Sequence, residues 1–199
     1  VKIAESFLSL VRRASTDLDV ESIREDVRIF ALRHEDLPTR GKAALMIGAT
    51  ARRAALVGAA ASAPPGWTSL AMAGPEIGAL IVLQSRMIVG LHLLYGGDLD
   101  PEERALEVVA GLAAGAGLSA GRRLTTRLAE ELAARLAARA VGRSLSRFVP
   151  LAGIAASAAL NYVAVQAVGR AVVARVERRW GPPEIPGQGP VLEAGGRIT

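Results

Sequence analysis

The chain has 199 residues, the length of one ordinary domain. Its composition is 51% hydrophobic but only 4% aromatic, with 38 alanines and 21 glycines. No cysteine and two histidines exclude disulfides, thiolate catalysis and cysteine-ligated metals, and leave little for imidazole chemistry. The net charge of +5 rests on 24 basic residues, 22 of them arginine.

Apolar residues Ile3, Phe7, Leu10, Val11 and Ala14 recur at the helical period, so a short helix is expected around Ser6–Arg13. Ser15-Thr16-Asp17 punctuates it. Ser22-x-x-Glu25 reads as a capping box for a second helix with Ile23, Val27 and Phe30 on one face. Residues 1–36 thus form two amphipathic, acidic helices. His34-Glu35-Asp36 closes them as a charged helix end, with too few converging ligands for a metal. Pro38 opens a helix over Thr39–Ala61 whose wet side carries Arg52 and Arg53, and Pro64-Pro65-Gly66 ends it. Trp67–Ala73 reads as a turn or loop. The next helix runs from Pro75 to about Tyr95, with Glu76 in its first turn and Gly96-Gly97 as its stop. Asp100-Pro101-Glu102-Glu103 starts another helix toward Gly117. A charged helix over Ser119–Arg147 and a last one from Pro150 to about Trp180 follow. Gly181-Pro182-Pro183 then begins an aperiodic tail to Thr199. The expectation is an all-α chain of six to eight helices. Residues 37–180 form one Ala/Gly-rich bundle, and 181–199 a disordered Gly/Pro tail.

No secretory signal is expected at the first residues, where Glu5 interrupts the apolar run. Phe148–Gly169 is free of charge for 22 residues and as a helix would reach about 33 Å. Its Pro150, Ser157, Asn161 and Gln166 suit a buried bundle helix as well as a spanning one. Ile77–Tyr95 contains Arg86 and His92 and reads as core.

Candidate chemistry is sparse. Gly117-x-Ser119-x-Gly121 has the spacing of a nucleophile elbow, but both histidines precede it and no strand leads into it. Gly111-x-x-x-Gly115 and Gly117-x-x-x-Gly121 leave bare helix faces for close packing. At 100° per residue from Glu76, Gln84 falls near 80°, Tyr95 near 100° and His92 near 160°, whereas Arg86 points away near 280°. Glu76, Gln84, His92 and Tyr95, with Asn161 from the last helix, are therefore a candidate polar pocket, or else satisfied buried polar groups. Arg123, Arg127, Arg135, Arg139, Arg143 and Arg147 recur at multiples of four beside a leucine stripe. This arginine ridge could meet lipid head groups, or be a solvated face with i,i+4 pairs. Nucleic acid is disfavoured, since no aromatic platform or reading helix accompanies the arginines.

Three features in order resemble the EcsC family: Pro65-Gly66 after one helix, Leu94-Tyr95-Gly96 with Asp98 after the next, and Pro150-x-x-Gly153…Asn161…Gly169-Arg170 in the last. The resemblance spans residues 38–179. It implies a helical protein in a membrane-linked setting and carries no catalytic residues. The family commonly has an Asp near the start of the apolar helix, where this chain has Glu76. The expected function is non-enzymatic, without metal or cofactor. The chain would be a cytoplasmic module, peripheral at the inner membrane face, binding lipid head groups or a membrane-linked protein. The alternative is a soluble homo-oligomer or assembly component whose tail serves as linker or docking peptide. If the chain were an enzyme, Glu76, His92 and Tyr95 would be its best carriers.

Overall fold

The computed structural model describes residues 9–11, 13–62, 73–115, 131 and 150–181. Within them the chain is all-α, with no strand. The short stretch 13–16 is helical, extending past the punctuation expected at Ser15, whose buried hydroxyl donates to the Val11 carbonyl at 2.7 Å. Five long helices follow. They are α1 (Val20–Arg33), α2 (Thr39–Ser62), α3 (Ala73–Leu94), α4 (Pro101–Gly115) and α5 (Pro150–Trp180).

Local chemistry sets most of their ends. α1 is capped by Asp19, whose carboxylate accepts from the Ser22 N–H at 2.9 Å. The helix therefore begins three residues before the expected Ser22–Glu25 box. Glu25 is drawn instead into a pair with Arg28 at 2.7 Å. Pro38 directly precedes α2, and its carbonyl accepts from the Lys42 N–H at 3.0 Å. α3 starts at Ala73, so Pro75 sits inside its first turn, where a missing N–H costs nothing. At its other end Gly96 takes φ 78°, the Gly96 N–H donates to the Leu93 carbonyl at 3.0 Å, and the Gly97 N–H to the His92 carbonyl at 2.9 Å. These paired bonds close the last turn with the left-handed residue that only glycine adopts freely. Asp100 caps α4 by accepting from the N–H groups of Glu102 and Glu103.

α5 is the spine. Ser157, Asn161, Val165, Val168, Val172 and Val176 are its buried residues, spaced by three or four so that one seam faces the other helices. α2 runs antiparallel to it: Arg40 meets Glu177, Ile47 lies against Gly169, and Ala54 meets Asn161. α3 runs parallel to it, with Glu76 beside Asn161 and Tyr95 beside Glu177. α4 returns antiparallel to both, placing Gly111 against Val172 and Ile88. α1 lies on α3, where Val27 packs near Gly90. The core joins Ile47, Ile88, Leu91, Val108, Val165 and Val172. Helices approach closely wherever a glycine faces a neighbour. A β-carbon on Gly169 would fall 2.6 Å from Ile47, and one on Gly111 3.0 Å from Val172. Gly111 thus serves packing within the chain.

Among the described residues three helices are long and apolar enough to cross a membrane: Thr39–Ala61, Glu76–Leu94 and Ile154–Trp180. The first includes Arg52 and Arg53, and the third extends the expected window through the charged end of α5. The expected Trp67 turn, the Gly117–Gly121 motif and the tail lie outside the described residues.

Candidate functional site

The helix directions sort the charges by axial position. On α2 they are Arg40, Lys42, Arg52 and Arg53, all in its first fifteen residues; on α5 they are Arg170, Arg175, Glu177, Arg178 and Arg179, all in its last eleven. Because these helices are antiparallel, both sets fall toward the same end of the bundle. Among the described residues of 54–62, 73–85 and 150–169, Glu76 is the single charged side chain. Among the described residues, α2, α3 and α5 therefore share a charged end and an apolar end.

At the charged end, salt bridges tie helix to helix. Arg175 grips Glu107 through two bonds of 3.0 and 3.2 Å, joining α5 to α4. His92 is buried beneath this pair, with Nε2 3.7 Å from Glu107 Oε2, an electrostatic contact too long for a hydrogen bond. Burial pushes the Glu107 carboxyl up. The His92 ring edge and the Arg175 guanidinium outweigh that and hold it down to about 2. Arg40 binds Glu177 through bonds of 2.7 and 2.8 Å, and the Tyr95 hydroxyl donates to the same carboxylate at 3.1 Å. Burial first, and the carboxylate second, push the Tyr95 phenol up to about 12. Arg179 pairs with Glu103 at 2.8 Å, Arg24 with Asp98 at 2.9 Å, and Arg86 with Asp26 at 3.1 Å. An open cleft of about 500 Å³ lies here between Glu21, Arg24, Asp98, Asp100 and Glu103. Its acids are already engaged by Arg24, Arg179 and the start of α4.

At the apolar end the Asn161 amide donates to Glu76 Oε1 at 3.2 Å and to the Ala54 carbonyl at 3.4 Å. One buried side chain so joins α2, α3 and α5. Gly58 makes room for it, because a β-carbon there would strike Asn161 Nδ2 and lie 3.0 Å from the Ser157 carbonyl.

The five residues expected in one pocket are not gathered in one place. Glu76 and Asn161 meet. Gln84 is buried about 12 Å further along α3, His92 about 24 Å, and Tyr95 beyond it at the charged end. Their shared sector is real, but sector says nothing about axial rise. Gln84 Oε1, Ser85 Oγ, Ser157 Oγ and both ring nitrogens of His92 are buried without a hydrogen bond. The arginine ridge from Arg123 to Arg147 lies outside the described residues; of that stretch only Glu131 is described, helical and exposed. Among the described residues no three His, Asp or Glu side chains converge as metal ligands. Glu107, Arg175 and Glu177 are the polar residues missed from sequence. Glu107 had one signal, a lone acid among Ala105, Leu106, Val108 and Val109. No protein family, curated protein or solved structure matches the chain.

Proposed function

We propose that this protein is a non-enzymatic helical module that associates with the cytoplasmic face of a membrane. Its apolar end enters lipid and its charged end stays in water. The observation that carries this reading is the axial segregation of charge. α2, α3 and α5 reach their shared end with one charged side chain, Glu76, already hydrogen-bonded to Asn161. The sequence 63–72 between α2 and α3 adds none, whereas 116–149, which leads into α5, adds seven arginines and two glutamates.

Depth favours insertion into one leaflet over a full crossing. The uncharged run of α2 after Arg53 and that of α3 between Glu76 and Arg86 are each about 13 Å long, against a hydrocarbon core of about 30 Å. A crossing by either would draw an arginine into the core at about 2.5–3.5 kcal/mol each. The EcsC resemblance, with its membrane-linked setting, agrees with this reading. The arginine ridge expected from the sequence over 123–147 would add to the same electrostatic attraction. Recognition would then rest on electrostatic attraction and apolar burial together.

Fractionation tests it. At low salt the full chain is expected in the membrane pellet, part being released by high salt and the remainder by detergent. Recovery wholly in the soluble fraction at low salt overturns the proposal. In that case a sedimentation measurement showing a defined oligomer establishes the soluble assembly alternative.

A further inference from the structure

We infer that Arg52 and Arg53 mark the water line of this protein, gripping the phosphates of anionic phospholipids while the surface beyond them enters the acyl chains. This rests on the membrane reading above and gives it an orientation and a headgroup chemistry.

Both arginines are exposed, and among the described residues neither has a hydrogen bond or an ion pair. They stand apart from Arg24, Arg40, Arg86, Arg175 and Arg179, each of which faces a carboxylate. They are also the last charges on α2. One turn further, Leu56 is 69% exposed, and at about 100° per residue it falls between them in azimuth. The contact of Ala54 with Asn161 fixes the matching level on α5. There Leu160, Tyr162 and Val163 are 50%, 37% and 64% exposed. At this level, then, unpaired guanidinium gives way to Leu56 and Leu160, with a tyrosine beside them.

That sequence of chemistries is the one a bilayer presents: phosphate, then interface, then hydrocarbon. An arginine stem lies along apolar surface while its head stays at the phosphate, and its planar fork takes two phosphate oxygens. A nucleic acid would satisfy the two charges but leave Leu56, Leu160 and Val163 in water. An acidic protein would do the same unless it also covered them.

Vesicle flotation of the full chain tests this, using phosphatidylcholine vesicles with and without phosphatidylglycerol. Wild type is expected to float with the anionic vesicles. Arg52→Gln or Arg53→Gln should weaken that binding about 5-fold each, and the double variant about 25-fold, at about one surface arginine's worth of attraction apiece. Binding to vesicles of phosphatidylcholine alone should not change, and Arg52→Lys with Arg53→Lys should restore most of the loss. Inorganic phosphate at matched ionic strength should not displace the protein; displacement would make a free anion, not lipid, the ligand and overturn the inference. Because both side chains are exposed, far-ultraviolet circular dichroism should be unchanged in every variant. Undiminished flotation of the double glutamine variant overturns the inference and leaves the membrane reading standing. If wild type floats with neither vesicle, both fall.

Discussion

At the charged end, α2, α3, α4 and α5 are held through Arg40–Glu177–Tyr95, Arg175–Glu107 and Arg179–Glu103. At the apolar end, α2, α3 and α5 meet through a bare glycine, a buried amide and one carboxylate. The first kind of joint tolerates small errors of position, because long arginines can adjust. The second does not, because the helices touch at backbone distance around Gly58. The difference shows two ways of fastening the same helices. Exposed helix ends can use reversible charged bridges, whereas the apolar end relies on close packing around one shared amide and leaves Ser157 Oγ without a partner.

The comparison can be broken most sharply at Gly58. Gly58→Val places carbon atoms against Asn161 and the Ser157 carbonyl, where neither backbone can yield, and should destabilise the fold by about 3 kcal/mol or more in urea denaturation. Arg175→Ala should cost about 3 kcal/mol, because it strands the nearly buried Glu107 carboxylate; thermal unfolding would read this. Asn161→Ala removes the donor shared by Glu76 and the Ala54 carbonyl, and should lower stability by about 2 kcal/mol. Acid should act on the charged end. The Glu107 carboxyl is held down to about 2, below its value in the unfolded chain near 4.3. Its contribution is therefore complete above about pH 5 and lost as pH falls through 4 toward 2. Urea midpoints at pH 7 and pH 3 should show this loss, and Arg175→Ala should flatten it. The smallest effect belongs to a pair that joins no two helices. Glu25–Arg28 is exposed within α1, and Arg28→Gln should leave the urea midpoint essentially unchanged.

Much of this fold was legible in the sequence, for local reasons. Pro38, Gly96-Gly97 and Asp100 act within a few residues of themselves, so the start of α2, the end of α3 and the start of α4 could be read almost directly. α1 was misread by one turn because Asp19 and Ser22 both suit a cap, and only the bond to the Ser22 N–H decides between them. Glu76 and Asn161, two of the five residues offered as a polar pocket, meet in the structure. The grouping of Gln84, His92 and Tyr95 with them was not sustained, because helical periodicity gives an angle and no height. Glu107 with Arg175 and Arg40 with Glu177 were beyond reach, since their partners lie 68 and 137 residues apart and depend on the order in which helices pack.

Trp180 closes α5 directly over Gly97, where a β-carbon would come within 2.9 Å of the indole Nε1. This gives the bundle a rivet: the last residue of its longest helix is pressed on the backbone just beyond α3, next to the bridges of the charged end. Separating α3 from α5 at that end would break the Tyr95–Glu177 bond and uncover the indole together.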